Sequence, residues 1–172
     1  FLGEMMKANF SYPCWGKWSE DCRKFKEDCV FGFPLHKSKG FVDLYRFIQR
    51  LDFLSNERHV FTTDAGSNYY VGGQVFCFEH GQREISSVTF ASMGLSLPLA
   101  IGCAVAEPDK QILCVTGDGS LELNIQELKT LSHYKLNVKV FVINNGGYLS
   151  MRNWQDGYFE GRRIDTAENT GA

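Results

Sequence analysis

Two apolar runs, 111–116 and 138–143, flank a stretch of helical pattern, and each ends in a polar, glycine-rich turn. No other feature constrains the fold of this chain so strongly. A strand–helix–strand crossover is right-handed and makes neighbouring strands parallel, so both runs finish on the same edge of a sheet. Leu121, Ile125, Leu128 and Leu131 carry the intervening helix over about 120–134. The same alternation extends upstream. Phe41, Leu44, Tyr45, Ile48 and Leu51 trace an amphipathic helix that Ser38 is placed to cap. Residues 60–63 read as a strand ended by Asp64-Ala65-Gly66, followed by a helix to about Val71, before Gly72-Gly73. Residues 85–88 read as a short strand, and 93–106 as a buried helix that Pro98 kinks or starts late. This pattern predicts an α/β fold: a parallel sheet with helices on both faces. The strands are nearly all apolar, as they are when both faces are covered.

Residues 1–36 differ. They hold three of the six cysteines, two of the three tryptophans, a charged stretch at 19–28 and only a short helical possibility between Trp15 and Cys29. Pro34 and Gly40 mark a break, so 1–36 is expected to be a linker or the tail of a preceding central domain, and 37–172 one domain. With 18 Lys+Arg against 20 Asp+Glu, the net charge is −2, and no block of like charges occurs. Nucleic acid and anionic membranes are thereby disfavoured as partners. The longest apolar segment, 93–106, contains Pro98 and two glycines and ends at Glu107, so no spanning helix is expected. The chain begins without an initiator Met or a visible signal peptide and stops without a structural signal, which reads as a fragment of a longer protein. No C-x-x-C pair occurs, and Cys103 and Cys114 sit in apolar runs. Buried free thiols in a reducing, cytoplasmic setting are expected rather than a zinc centre.

The chemistry concentrates at the ends of the two strands. Asp118 follows the first and Asn145 the second, and open α/β sheets bind ligands at this carboxyl edge. A carboxylate, an amide oxygen and a carbonyl from the Gly146-Gly147 turn form a hard oxygen set suited to Mg²⁺ or Ca²⁺. Mg²⁺ usually shares its shell with phosphates. Gly117 and Gly119 allow close backbone approach, and a helix starting near Ser120 favours an anion. The arrangement reads as a metal–diphosphate clamp. A dinucleotide fingerprint fails because position 122 is Glu, and 121–124 supplies no Gly-Lys-Ser/Thr. A capped turn followed by an Asn-Gly turn explains either piece alone. Both together, each directly after a strand, favour the clamp.

Gly117-Asp118-Gly119-Ser120 with the later Asn144-Asn145 resembles the thiamine-diphosphate motif of the superfamily of acetolactate synthase, pyruvate decarboxylase and benzoylformate decarboxylase. The resemblance covers about 37–163 and implies their C-terminal, diphosphate-binding domain. It implies that Asp118, the Asn145 side chain and the Gly147 carbonyl hold Mg²⁺, and that Gly119 and Ser120 contact the diphosphate. Asp64-Ala65-Gly66-Ser67-Asn68 is similar to the family's earlier diphosphate loop, with Ser67-Asn68 where Gln-His is frequent. Ala91-Ser92-Met93-Gly94 resembles the G-T-M-G segment. Ala91 would then give a carbonyl to the aminopyrimidine, and Met93 would wedge the cofactor into its bent form. Asn144 to Tyr148 is as similar to the decarboxylase N-N-D-G-Y as to the synthase N-N-E, which adds Tyr148 to the cofactor site. Trp154 stands where the synthases line an acceptor pocket. Arg152, Arg162 and Arg163 suit either a carboxylate substrate or a solvated basic face, the latter preferred, and neither His133 nor His80 is given a catalytic role.

The resemblance further implies decarboxylation of a 2-oxo acid followed by carboligation. The alternatives are a 2-oxo acid decarboxylase of the same superfamily, a non-catalytic binding module, or a Mg²⁺-dependent phosphate-binding protein unrelated to thiamine. No catalytic residue is identified in this chain. The activating Glu would come from a pyrimidine-binding domain on a second subunit of a homodimer or homotetramer, and FAD would belong to a central domain. This piece alone is expected to be inactive.

Overall fold

The computed structural model describes residues 15–28, 40–78 and 81–166. The chain divides into two compact units, 1–39 and 40–172. In the first, α1 (Gly16–Lys26) occupies the helical stretch expected between Trp15 and Cys29. Trp15 and Trp18 meet edge-on at 5.8 Å within it. Ser38, Pro34, His80, Cys14 and Cys29 lie outside the described residues.

The second unit runs α2 (Leu44–Leu54), β1 (His59–Thr62), α3 (Ser67–Val75), β2 (Arg83–Ile85), α4 (Ser96–Ala106), β3 (Gln111–Gly117), α5 (Asp118–Glu122), α6 (Glu127–Tyr134), β4 (Val138–Ile143) and α7 (Leu149–Tyr158). Its four strands form one parallel sheet in the order β2-β1-β3-β4. On one face, Val60, Ile112 and Cys114 pack with Leu97, Ala100, Cys103 and Ala104 of α4, and Leu121, Leu131, Val138 and Val140 close around them. On the other face, Phe61 meets Phe76 at 4.2 Å and Phe78 at 5.6 Å, and Phe47 of α2 meets Phe141 at 5.5 Å. Helices therefore cover both faces, as the apolar strands require. Burying each large side chain of β3 is worth about 1.5–3 kcal/mol, which makes this strand the spine of the unit. No helix of the described residues is long and apolar enough to cross a membrane.

The element boundaries depart from the pattern reading in instructive ways. α2 starts at Leu44, where the Asp43 carboxylate accepts the Arg46 N–H at 3.0 Å, and Phe41 lies outside it, 81% exposed. α3 continues through Gly72-Gly73 to Val75. β2 ends at Ile85, and the short 3₁₀ turn Val88–Phe90 follows. α4 begins only at Ser96, so Pro98 falls in the first turn, where a missing N–H removes no hydrogen bond. Met93 is consequently outside the helix. The single helix expected over 120–134 is two helices, α5 and α6, broken at 123–126. Leu121 and Leu131 keep their core contacts, while Ile125 and Leu128 are exposed. α7 carries no pattern that the sequence reading used.

Candidate functional site

β3 and β4 lie side by side with Gly117 opposite Ile143, so the segments leaving the two strands emerge together. They open onto a cleft of about 210 Å³. Of the residues singled out from sequence, Ala65, Gly66, Ser67, Asn68, Ala91, Met93, Gly117, Asp118, Gly119, Ser120, Asn145, Gly147 and Tyr148 line it. Asp64 and Trp154 do not. Tyr70, Ile143 and the α7 residues Leu149, Ser150 and Met151 also line it. Sequence reasoning missed the α7 group because the helix itself went unseen.

Asp64 is fully buried behind the cleft wall. Its Oδ1 accepts from the Ala65 N–H at 2.7 Å and from Asn68 Nδ2 at 2.8 Å, and its Oδ2 accepts from Thr116 Oγ1 at 2.8 Å. Asn68 Nδ2 also donates to the Val115 carbonyl at 2.9 Å. This carboxylate staples the β1 turn to β3 and leaves the neighbouring residues 65–68 to face the cleft.

Asp118 opens α5. Its Oδ1 accepts from the Gly119 N–H at 3.0 Å, and its Oδ2 reaches across to the Gly147 N–H at 2.8 Å. The turn that it meets is built for tightness: Gly146 and Gly147 have φ of 76° and 100°, a region that favours glycine. The Gly146 N–H is held by Asn144 Oδ1 at 3.1 Å. Asn145 Oδ1 is buried without a hydrogen-bond partner among the described residues. An unpaired buried acceptor costs about 1–3 kcal/mol, and one from a residue lining the same cleft as the Asp118 carboxylate suits an electropositive ligand. The Asp118 carboxylate, Asn145 Oδ1 and the Gly147 carbonyl are a hard oxygen set, which fits Mg²⁺ sharing its shell with a phosphate. Among the described residues there is no group of three or more His, Cys, Asp or Glu that could hold a metal.

The anion side differs from expectation. α5 has five residues rather than fifteen or so, and the Gly119 N–H is already engaged by Asp118, so the macrodipole contribution expected of a long helix is reduced to local N–H groups. The backbone at Gly119 is crowded instead by Tyr148: a Cβ there would lie 2.3 Å from the ring. Met93 is 40% exposed at the cleft, which removes it from the core. It follows Ala91 in the left-handed conformation, and Asn124 Nδ2 fixes the loop through the Gly94 carbonyl at 2.7 Å.

The remaining candidates separate. Trp154 is exposed on α7 and stacks on Tyr158 at 4.7 Å. Arg163 holds Asp156 in a two-pronged pair at 2.8 and 2.5 Å, and these hydrogen bonds keep the exposed Asp156 carboxyl below its ordinary range. Arg162 donates to the Phe159 carbonyl at 3.1 Å. Arg152 is not part of a solvated basic face; its guanidinium turns onto the backbone carbonyls of Asn145 and Gly146. His133 sits edge-on to Tyr134 at the end of α6 and does not line the cleft. Cys103 and Cys114 are buried free thiols whose ionisation burial pushes up.

The family model described as "Thiamine pyrophosphate enzyme, C-terminal TPP binding domain" matches residues 64–171, which include every residue of the cleft. Among similar proteins, the acetolactate synthase large subunit of Cyanidium caldarium is 33% identical over 145 residues, covering 84% of this chain and 24% of that protein. The acetolactate synthase isozyme 1 large subunit of Escherichia coli (strain K12) is 35% identical over 115 residues, covering 67% of this chain and 20% of that protein. Acetolactate synthase 2, chloroplastic, of Zea mays is 29% identical over 164 residues, covering 95% of this chain and 25% of that protein. The chain thus spans about a quarter of the length of these relatives. With the motif residues gathered on one cleft and the family match running through all of them, the chain belongs to the thiamine pyrophosphate enzymes, as their C-terminal TPP-binding domain.

Proposed function

We propose that this domain anchors thiamine diphosphate through Mg²⁺ at the cleft, within a larger acetolactate-synthase-like enzyme acting on 2-oxo acids. The observation that carries the metal assignment is the buried, unpaired Asn145 Oδ1, on a residue that lines the same cleft as Asp118. Asp118, Asn145 and the Gly147 carbonyl hold the ion, and Gly117, Gly119 and Ser120 let the diphosphate approach the backbone. Ala65 to Asn68 bound its other side, with Asp64 holding that loop in place. Ala91 and Met93 face the rest of the cofactor, and Tyr148 closes over Gly119. When bound, thiamine diphosphate supplies the electron sink for decarboxylation. The protein's share here is binding and orientation.

Residues 1–36 are, on this reading, the end of a preceding domain. The pyrimidine-binding domain and its activating Glu come from a second subunit of a homodimer or homotetramer, any FAD requirement belongs to a central domain, and Trp154 faces the acceptor substrate once that subunit is in place. Placement in the cytoplasm is part of the same proposal, supported by the buried thiols of Cys103 and Cys114. The relatives' names support carboligation, while Tyr148 after Asn144-Asn145-Gly146-Gly147 supports a decarboxylase of the same superfamily. Incubating the full-length protein with pyruvate separates the two, giving acetolactate or acetaldehyde.

The test of the site is calorimetric titration of thiamine diphosphate into the full-length protein, with Mg²⁺ or with chelator. Metal-dependent heat that disappears in Asp118→Ala and Asn145→Ala is expected. Equal binding in chelator would refute the metal assignment, and binding without turnover on any 2-oxo acid would favour a non-catalytic module.

A further inference from the structure

We propose that Arg152 is a positioning residue for the metal site: its guanidinium clamps the peptide planes around Gly146 and so aims the Asn145 amide and the Gly147 carbonyl. The inference rests on the Mg²⁺–thiamine diphosphate reading and goes beyond it, because Arg152 lies outside the motif and does not line the cleft.

The geometry is a three-way tie. Arg152 Nη2 donates to the Asn145 carbonyl at 2.7 Å, and Nη1 donates to the Gly146 carbonyl. Nη1 also reaches the Thr166 carbonyl at 3.3 Å, and that same carbonyl accepts the Tyr148 N–H at 3.2 Å. Thr166 is itself buried and tied to α7 through Gln155 Oε1 at 2.7 Å. One planar fork therefore joins the metal-site turn, the Tyr148 backbone and the segment that ends at Thr166.

The turn needs such a restraint. Two successive glycines at φ 76° and 100° have wide backbone freedom, and the turn must hold Asn145 Oδ1 buried and unpaired. Left to itself, it would relax toward any conformation that pairs this oxygen. Fixing the carbonyls of Asn145 and Gly146, on either side of the Gly146 nitrogen and Cα, removes that freedom. The Gly147 carbonyl shares its peptide plane with the Tyr148 N–H, so the bond of that N–H to the Thr166 carbonyl, which Arg152 also holds, sets the carbonyl's direction. A guanidinium does this with fixed donor spacing, whereas an ammonium is a point donor on a flexible stem. A positive charge near a divalent cation opposes metal binding, so the two effects of Arg152 have opposite signs and can be told apart.

The experiment uses the full-length protein with Arg152→Met and Arg152→Lys. Mn²⁺ replaces Mg²⁺ in the presence of thiamine diphosphate, and the free ion is read by electron paramagnetic resonance. Loss of a residue that orients metal ligands typically weakens metal affinity about 10–100-fold. That rise in half-saturating metal is expected for Arg152→Met, with kcat at saturating metal and cofactor near wild type. Arg152→Lys keeps the charge but not the fork, so it should sit near Arg152→Met if orientation is the role. Unchanged half-saturation in both variants, or tighter metal binding in Arg152→Met, overturns the proposal. If Arg152→Met does not fold, Arg152→Lys decides alone: wild-type metal affinity overturns the clamp, and weakened affinity supports it. Wild-type and Asp118→Ala controls keep the readings separate. Absence of cofactor-linked metal binding in wild type, or its persistence in Asp118→Ala, removes the underlying site and with it the clamp.

Discussion

Gly119→Ala is expected to weaken both fold and cofactor binding, and the sign of its effect should reverse when Tyr148 is removed. A Cβ at position 119 would lie 2.3, 2.6 and 3.1 Å from Cε1, Cδ1 and Cζ of the Tyr148 ring. Carbon atoms prefer about 3.5–4.0 Å, so the ring has to retreat by more than about 1 Å. The Tyr148 backbone is pinned, its N–H by the Thr166 carbonyl and its carbonyl by the Arg152 N–H at 3.0 Å, so the ring can retreat only by leaving its present rotamer. Overpacking of this kind costs about 1–3 kcal/mol. The opposing term is local: Gly119 lies within helix α5, where Ala is favoured over Gly by about 0.5–1 kcal/mol. In wild type the clash wins. In a Tyr148→Ala background nothing remains to clash with, and the helix term should make Gly119→Ala neutral or stabilising. The assay is a double-mutant cycle on the full-length protein, read by urea midpoint and by half-saturating thiamine diphosphate in Mg²⁺. A coupling of about 1–3 kcal/mol is expected. Equal effects of Gly119→Ala with and without Tyr148 would refute the reasoning.

Two further perturbations probe the supports of the cleft. Burial raises the Glu84 carboxyl above its ordinary value of 4.5, against a lowering hydrogen bond from Thr63. The folded state thus holds this proton more tightly than the unfolded one, and the stability this gives is present at low pH and lost as pH rises through the raised value. Glu84→Gln should therefore raise the urea midpoint at pH 7.5, with the gain closing below pH 4.5; no gain at pH 7.5 would sink the argument. Asp64→Ala strands three donors at Ala65, Asn68 and Thr116 and should cost about 3 kcal/mol or more in urea unfolding. Asp64→Asn should be milder, because an amide still pairs with two of them while the Thr116 hydroxyl turns to accept. Equal losses would show that the hydrogen bonds are not the reason for the buried carboxylate.

The strands at β1, β3 and β4 were legible because continuous apolar runs bounded by Gly, Asp and Asn admit few other readings. Helix ends were not. Asp43 caps α2, a choice that depends on which oxygen reaches a free N–H. The 120–134 pattern broke at 123–126, where Asn124 turns its amide to the Gly94 carbonyl, a tertiary contact 30 residues away in sequence. α7 escaped notice because its apolar residues, Met151, Trp154 and Tyr158, are exposed in this chain, so no buried stripe marks it. Arg152 read as a surface charge because nothing local in sequence says that its guanidinium folds back onto Asn145 and Gly146.

The sequence by itself determined the alternation of strands and helical segments as far as β4, the parallel sheet that follows from it, and the placing of Asp118 and Asn145 at one edge. These depend on periodicity and on the handedness of a crossover, which are local rules. Only the tertiary structure decided that Asp64 faces inward as a staple, that Met93 stands in the cleft, that Tyr148 covers Gly119, and that Asn145 Oδ1 is buried unpaired. Each of these is a question of which atoms from distant segments meet in space, and hydrogen-bond satisfaction and steric overlap are settled there, not along the chain.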